Sequence, residues 1–101
     1  LPEQPAETEL YVILIGDTYT GVQPLLQELR REGLNCAVDI SSRKIDKQIQ
    51  AAEKKKVQFA LFVGEKELEE QRYPLKNLKT GEEQVLSSAR LVSFIKDIRR
   101  T

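Results

Sequence analysis

Glu67 and Lys76 are the two side chains whose types and positions best suit chemistry with a ligand. Glu67 follows an apolar segment that ends at Gly64, and Lys76 lies in the short segment RYPLKNL (72–78). A carboxylate accepts hydrogen bonds from the amino or imino groups of an unpaired nucleobase, and a lysine donates to a carbonyl oxygen or a phosphate. The pair therefore predicts a site for an unstacked base. A plain surface ion pair, worth less than about 1 kcal/mol, is the alternative.

Tyr73 stands in the same segment as Lys76 and has two possible roles. On a strand whose side chains alternate between two faces, it either stacks on a base or faces the core. The sequence alone leaves both open.

Residues 43–56 form the most basic segment of a chain that is otherwise balanced, with 16 basic and 16 acidic residues. Their net charge is plus four, from six basic and two acidic side chains: Arg43, Lys44, Lys47, Lys54, Lys55 and Lys56 against Asp46 and Glu53. Such a surface attracts phosphate groups without regard to base sequence, but a solvated helix face has the same composition. Charge alone does not decide between these interpretations.

Catalysis within the chain is not indicated. The chain has no histidine to act as a general base, and it contains no nucleophile elbow, Walker loop or paired metal-ligand spacing. The glutamates around Glu67 lie in a polar connection, for which a solvated loop is the simplest expectation. The single cysteine, Cys36, cannot form an internal disulfide, and without histidine no Cys–His metal site is possible. We therefore predict no catalytic centre, metal or cofactor in this chain, and a cytoplasmic location.

The segment GDTYTG (16–21) offers one alternative. A Gly- and Thr-rich turn between a strand and a helix is where many α/β proteins hold a phosphate, including that of flavin mononucleotide. The same residues also serve ordinary helix capping, and no later loop offers an aromatic residue suited to stacking on a flavin. A flavodoxin-like cofactor binder is therefore the weaker hypothesis.

Strands and helices alternate through the first part of the chain. Apolar segments predict parallel strands at 10–15, 34–40 and 57–64. The first helix should begin near Gly21, with Pro24 in its first turn, and end at Gly33. The second should cover 41–56, capped by Ser41 or Ser42, with three apolar side chains facing the core: Ile45, Ile49 and Ala52. Short connections between these elements require right-handed crossovers.

The rest of the chain departs from this alternation. Segment 72–78 contains Pro74 and follows the third strand too closely for a helical crossover, so we expect it to be antiparallel and near an edge. A turn at residues 79–82 (Lys-Thr-Gly-Glu) leads to a fifth strand at 83–87 and a final helix at 87–100. The predicted fold is an α/β domain with a mixed five-stranded sheet, three parallel strands plus an antiparallel extension, flanked by three helices.

The first nine residues, with two prolines and three glutamates, read as a linker or disordered end, and 10–101 as one domain. No apolar run approaches the roughly 20 residues that a membrane-spanning helix needs. The chain begins with Leu1 and contains no methionine, so we expect a fragment of a larger protein.

Four motifs in order carry a family resemblance: LRREG (29–33), SSRKIDKQIQAAEKK (41–55), FALFVGEKELEE (59–70) and PLKNLKTGEEQ (74–84). Together they resemble the C-terminal anticodon-binding domain of class II aminoacyl-tRNA synthetases, most of all that of the histidyl enzymes. The resemblance extends from Leu10 to the end of the chain. The KNLKTGE segment favours the histidyl group, since threonyl and prolyl domains usually carry arginine-rich versions there.

The resemblance implies a tRNA-binding module attached to a separate catalytic domain. That domain joins histidine to tRNA with ATP and magnesium. Enzymes of this kind are generally homodimers, although this fragment need not be a dimer. An accessory protein that uses the same fold for protein contacts is the alternative. By position, the residues expected near anticodon bases are Glu67, Lys76, Asn77, Asp17 and Thr18, and those near the tRNA backbone are Arg43, Lys47, Gln48 and Lys79.

Lys56 departs from the family pattern, which usually has glycine after the second helix. The resemblance therefore implies that Lys56 either adopts a left-handed conformation, which costs about 1 kcal/mol, or that the helix ends differently.

Overall fold

The computed structural model describes residues 8–38 and 44–100. Within them, five strands form one sheet in the order β2-β1-β3-β4-β5: β1 (Leu10–Leu14), β2 (Cys36–Val38), β3 (Phe59–Val63), β4 (Tyr73–Asn77) and β5 (Glu83–Leu86). β1 pairs in parallel with β2 and β3, and β4 is antiparallel to both β3 and β5. The predicted mixed sheet is confirmed, with β4 one strand from the edge.

The described residues contain four helices instead of the three predicted: α1 (Tyr19–Arg31), α2 (Ile45–Lys54), α3 (Glu65–Glu70) and α4 (Ser88–Arg99). The additional helix, α3, replaces the polar loop expected after β3. Leu68 of α3 packs against the core cluster that includes α1. A Cβ at Gly21 of α1 would lie 2.9 Å from Leu68 Cδ1, so glycine permits this close approach. The packing of Leu68 against the core therefore stabilises α3, although its glutamate-rich sequence suggested a solvated loop.

α1 begins at Tyr19, two residues before the predicted start, so Pro24 lies in its second turn. Placing Pro24 in the first turn was therefore wrong. Proline has no N–H to donate to the carbonyl of Thr20, but Thr20 is exposed and that carbonyl can bind water instead. The helix ends as predicted at Gly33, whose φ of 89° lets the N–H of Leu34 reach the carbonyl of Leu29 at 3.0 Å.

α2 covers less than the predicted segment, and the proposed capping residues Ser41 and Ser42 lie outside the described residues. Ala52 is buried and Ile49 is half-buried, but Ile45 is 38% exposed, so its predicted place in the core was wrong. The helix runs back along β1, and Gln48 meets Leu14 at the last residue of that strand. Ile45 lies about one helical turn before Gln48, which is about 5 Å along the helix axis. This distance places Ile45 beyond the carboxyl end of β1.

Two apolar clusters cover the two faces of the sheet. On one face, alternate side chains of β1, β3 and β4 pack against α1 and α4, with Leu10, Val12, Leu61 and Leu75 among the most buried. On the other, α2 packs against β1 in a smaller cluster: Tyr11, Ile13, Ala52, Val57 and Ala60. This second cluster does not extend to β5, so none of the helices in residues 8–38 and 44–100 covers that part of the sheet face.

Lys56 has φ of 60°, the left-handed conformation that the family pattern assigns to glycine. The N–H of Lys56 donates to the main-chain carbonyl of Glu53 at 2.9 Å, and the N–H of Val57 donates to that of Ala52 at 3.0 Å. These are the two hydrogen bonds of a Schellman motif. α2 therefore ends in the usual way, with a lysine where a glycine would be less strained.

Glu9 connects three parts of the chain. Its carboxylate accepts two hydrogen bonds of 2.5 Å from the Arg99 guanidinium and one of 3.0 Å from the N–H of Asn35. Arg99 also donates to the carbonyl of Gly33 at 2.6 Å. The bonds from Arg99 hold the pKa of Glu9 below its usual range. Residues 1–7 of the predicted linker lie outside the described residues, and the boundary at residue 10 stays a prediction.

Candidate nucleic-acid interface

One face of the sheet carries apolar side chains that the described helices leave partly exposed. Side chains alternate along β3 and β4, so Phe62 and Pro74 point to the side on which α2 packs over β1. Val85 of β5 pairs with Pro74 and shares that side. Phe62 and Pro74 are half-buried, and Val85 is 49% exposed. We call this surface, together with Lys76 and Glu83, the open sheet face.

Lys76 lies on the open sheet face between two register partners, Ala60 of β3 and Glu83 of β5. It is half-buried, so its aliphatic stem covers part of the sheet. Among the described residues no carboxylate lies within ion-pair distance of its ammonium group. Within those residues, its charge is therefore not neutralised by an ion pair.

Glu67 lies at the carboxyl end of β3, in the first turn of α3. Its Oε1 accepts a hydrogen bond of 2.9 Å from the N–H of Gly64. Gly64 is extended, so a Cβ there would point to the same side as Phe62, and that Cβ would lie 2.7 Å from Glu67 Oε1. The carboxylate is thus held at the rim of the open sheet face.

Glu67 and Lys76 lie on the same side of the sheet but not in one tight pair. Lys76 is level with Ala60, four residues before Gly64, which corresponds to about 13 Å along the strand. The apolar row of Phe62, Pro74 and Val85 runs across the strands between them, so an acceptor and a donor border it from opposite sides. The arrangement suits an unstacked nucleobase, which needs an apolar surface for its flat face and hydrogen-bonding partners at its edges.

Tyr73 is buried, with 4% of its surface exposed, on the opposite face of the sheet. Burial, with Glu28 nearby, raises the pKa of its phenol. Of its two possible roles, the structure shows the core one.

Two of the other predicted base-contacting residues, Thr18 and Asn77, form hydrogen bonds with the main chain, and a third, Asp17, is the neighbour of Thr18. Thr18 is buried, and its hydroxyl donates to the carbonyl of Val63 at 3.2 Å, which ties the end of β1 to β3. Asp17, next to it, is exposed. The Asn77 carboxamide oxygen accepts from the N–H groups of Lys79 and Thr80 and so shapes the β4–β5 turn. Thr18 also gives the phosphate-binding loop hypothesis no exposed hydroxyl at this position.

The residues predicted to contact the tRNA backbone are divided. Arg43 lies outside the described residues. Lys47 and Lys79 are exposed. Gln48 is buried: its amide donates to the carbonyl of Leu14 and accepts from the N–H of Leu14, both at 2.9 Å. These are the two bonds that a neighbouring strand would make, so Gln48 supports the sheet from within and is not part of the surface proposed below.

The charges of α2 are segregated between its flanks. At 100° per residue, four lysines (Lys44, Lys47, Lys54 and Lys55) lie on one flank and Ile45, Ile49 and Glu53 on the other. Lys55 Nζ lies 5.6 Å from the centre of the Tyr11 ring, a cation–π contact. In a right-handed β2-α2-β3 crossover, the isoleucine flank turns toward β3 and the lysine flank toward β2. The basic surface is therefore separate from the open sheet face.

Phe62, Pro74 and Val85 were missed as site residues from the sequence. Their common exposure depends on which strands pair and on where α2 ends, neither of which a local pattern records. The alternation of Pro74 and Lys76 on one strand is the only sequence signal that could have grouped any of them.

The described residues offer no metal or thiolate chemistry. They contain no group of three or more His, Cys, Asp or Glu side chains arranged to hold a metal ion. Burial raises the pKa of Cys36 to about 11, so its thiol stays protonated near neutral pH. Within the same ranges, no helix has the length and hydrophobicity to span a membrane.

The chain matches known proteins over nearly its whole length. The model of the family described as "Anticodon binding domain" matches residues 9–98. The histidine–tRNA ligase of Chlorobium phaeobacteroides is 34% identical over 99 residues, which cover 93% of this chain and 23% of that protein. The ligase of Trichormus variabilis is 36% identical over 100 residues, 95% of this chain and 21% of that protein. The chain thus spans less than a quarter of these relatives.

Solved structures of aminoacyl-tRNA synthetases are similar to this chain. The histidyl-tRNA synthetase of S. aureus superposes with a TM-score of 0.77 at 30% identity, over 89% of this chain and 23% of that one. The RNA-binding domain of threonyl-tRNA synthetase from Cryptosporidium parvum gives a TM-score of 0.83 at 21% identity, over 91% and 24%, and supports the fold alone. With a family model spanning residues 9–98, this chain belongs to the anticodon-binding domain family of aminoacyl-tRNA synthetases, and its relatives from Chlorobium and Trichormus are histidine–tRNA ligases.

Proposed function

We propose that this chain binds the anticodon loop of histidine-accepting tRNA. The observation that carries the proposal is the open sheet face, where an apolar row is bordered by the Glu67 carboxylate and the Lys76 ammonium group. Unstacked bases of a loop lie with their flat faces on Phe62, Pro74 and Val85, and their edges meet the charged groups. Family membership supports the choice of a tRNA as the nucleic acid.

Glu67 and Lys76 have different parts in this proposal. Because one carboxylate oxygen of Glu67 is held by Gly64, the other has a fixed direction from which it accepts hydrogen bonds from a base. Lys76 donates to a base carbonyl or to the adjacent phosphate. Lys47 and Lys79, which are exposed, add contacts with the backbone that do not depend on base sequence.

The remainder of the parent protein would supply the reaction. We propose that a separate domain, using ATP and magnesium, joins histidine to the tRNA held here, and that the parent enzyme is a cytoplasmic homodimer. The share of the relatives that this chain covers, 23% of the Chlorobium ligase, leaves ample length for such a domain.

Binding of tRNA to the 101-residue chain tests the function. Fluorescence anisotropy should show weak binding of histidine-accepting tRNA, which falls steeply as salt rises and falls further when anticodon bases are changed. A matched transcript with the same stem and a substituted anticodon is the control. Equal affinity for both transcripts would contradict anticodon recognition and favour an accessory protein that uses this fold for protein contacts.

A further inference from the structure

A cavity of about 450 Å³ lies where β5 ends and α4 begins. Five residues line it: Arg72, Val85, Leu86, Ser87 and Arg90. Arg72 directly precedes β4, and Arg90 lies in the first turn of α4. Two elements distant in sequence thus bring two guanidinium groups to one opening, which we call the arginine pocket.

Neither guanidinium group has an acidic partner in the part of the chain that the structure describes. Among residues 8–38 and 44–100, no carboxylate lies within 4 Å of Arg72 or Arg90, and no residue that lines the pocket is acidic. Arg99, by contrast, pairs with Glu9, and Lys96 pairs with Glu32. Two cations beside one cavity repel each other unless an anion lies between them. The pocket therefore has the charge of an anion site.

The start of α4 adds to that charge. Ser87 caps the helix, its Oγ accepting a hydrogen bond of 3.3 Å from the N–H of Arg90. The other early N–H groups of a helix carry partial positive charge and suit a phosphate oxygen. Glu28 accepts a hydrogen bond from the Ser88 hydroxyl at 2.9 Å and does not line the pocket.

Val85 joins the pocket to the open sheet face, since it belongs to both. A nucleotide whose base lies on Pro74 and Val85 has its own phosphate, or the next one, within a few ångströms of that edge of the sheet. Arginine pairs bind a phosphate with several parallel hydrogen bonds, which a solvated lysine flank does not. The site is thus placed to hold the backbone of a loop at a fixed position.

We propose that Arg72 and Arg90 together bind one phosphate of the RNA backbone beside the open sheet face. This inference rests on the proposed function, because the RNA is the loop whose bases that face receives. The arginine pocket fixes the position of the RNA loop, and the open sheet face contacts the bases of that loop.

Replacement of each arginine tests the inference. Arg72→Gln and Arg90→Gln should each weaken tRNA binding by about tenfold, equally for matched and substituted anticodons, and each should lower the slope of log affinity against log salt by about 1. The double substitution should do little more than either one, because both act on the same phosphate. Arg31→Gln, which removes the same charge from an exposed residue of α1 far along the chain from the pocket, is the control. Urea unfolding of each variant shows that the fold is kept.

Lysine substitutions separate charge from geometry. Arg72→Lys and Arg90→Lys keep the charge but lose the planar fork, so they should recover only part of the lost affinity. Affinities and salt slopes equal to those of Arg31→Gln would overturn the proposal, even if the chain recognises the anticodon through Glu67.

A titration with inorganic phosphate distinguishes the source of the anion. The amide NMR signals of Ser88 and Ala89 should move with phosphate more than with chloride at equal ionic strength, and should not move in the Arg90→Gln variant. If phosphate moves these signals while tRNA affinity is insensitive to both arginines, the pocket binds free phosphate and the RNA assignment is wrong. If the chain binds no tRNA, the proposed function and this assignment fail together.

Discussion

The Glu67 carboxylate accepts a hydrogen bond of 2.9 Å from the main-chain N–H of Gly64, so the side chain that we propose to contact a base also caps the start of α3. The two roles separate by substitution. Glu67→Gln keeps an oxygen for the Gly64 N–H but removes the charge, whereas Glu67→Ala also removes the helix contact, worth about 1 kcal/mol.

We expect Glu67→Gln to leave the free energy of unfolding nearly unchanged and to reduce the preference for the matched anticodon by about tenfold, the scale of one lost base contact. Glu67→Ala should lose the same preference and some stability. Anisotropy with the two transcripts and urea unfolding measure both quantities. Glu70→Gln, on the exposed part of the same helix, is the control, and an equal loss of preference there would contradict the role of Glu67.

Phe62 should contribute to binding through its ring. Phe62→Leu keeps an apolar side chain on the open sheet face but removes the stacking surface, and we expect a loss of affinity of about fivefold or more. Phe94→Leu is a matched control, because Phe94 is also half-buried but lies on the opposite face, edge-on to Phe59 at 5.5 Å. Both variants should lose about 1 kcal/mol of stability. If Phe94→Leu weakens tRNA binding as much, stacking on Phe62 is not the cause.

Lys47 should act without regard to base sequence. It is exposed on the flank of α2 that turns away from the open sheet face, so Lys47→Ala should weaken binding of all tRNAs by the same few-fold factor and lower the salt slope by about 1. Lys96→Ala, in the last turn of α4, serves as the control. A change in anticodon preference in Lys47→Ala would show that the residue contacts a base.

Gln48 should contribute to stability and not to RNA contact. Gln48→Ala leaves the N–H and C=O of Leu14 without their partner in the core, and we expect a loss of about 2–4 kcal/mol in the free energy of unfolding. The fraction that stays folded should bind tRNA with the normal salt slope. A stable variant with a reduced slope would instead support the predicted contact of Gln48 with the backbone.

The Glu9–Arg99 pair should make stability depend on pH in the acid range. Because the folded protein lowers the pKa of Glu9, the stabilisation is present above the unfolded pKa and is lost as pH falls through the lower, folded pKa. Arg99 is 39% exposed, so we expect about 1 kcal/mol or less at neutral pH. The difference in unfolding free energy between the native chain and Glu9→Gln should disappear in acid.

The sequence predicted the sheet well because its signals there are local. Apolar runs such as LYVILI (10–15), alternating with helices, predict the observed parallel pairing of the first three strands and the antiparallel extension. The short helix α3 was not predictable in this way, because it depends on Leu68 meeting Gly21 and on Glu67 meeting Gly64. Local propensity does not report such tertiary contacts.

The candidate site was only partly predictable for the same reason. Glu67 and Lys76 were found from their residue types, and the structure brings them to one side of the sheet. The apolar row between them becomes visible only when β5 pairs with β4 and the cluster under α2 is seen to stop short of β5. Thr18 and Gln48 were polar residues that looked available for a ligand, but the fold uses their hydrogen-bonding groups for Val63 and Leu14.

The left-handed backbone at Lys56 has a consequence for engineering of this domain. An exchange for glycine at that exposed residue would relieve the unfavourable torsion and make the chain more resistant to heat, without disturbing the interior. The same replacement would remove a positive charge next to α2. The variant would therefore be more stable but would attract polyanions less strongly.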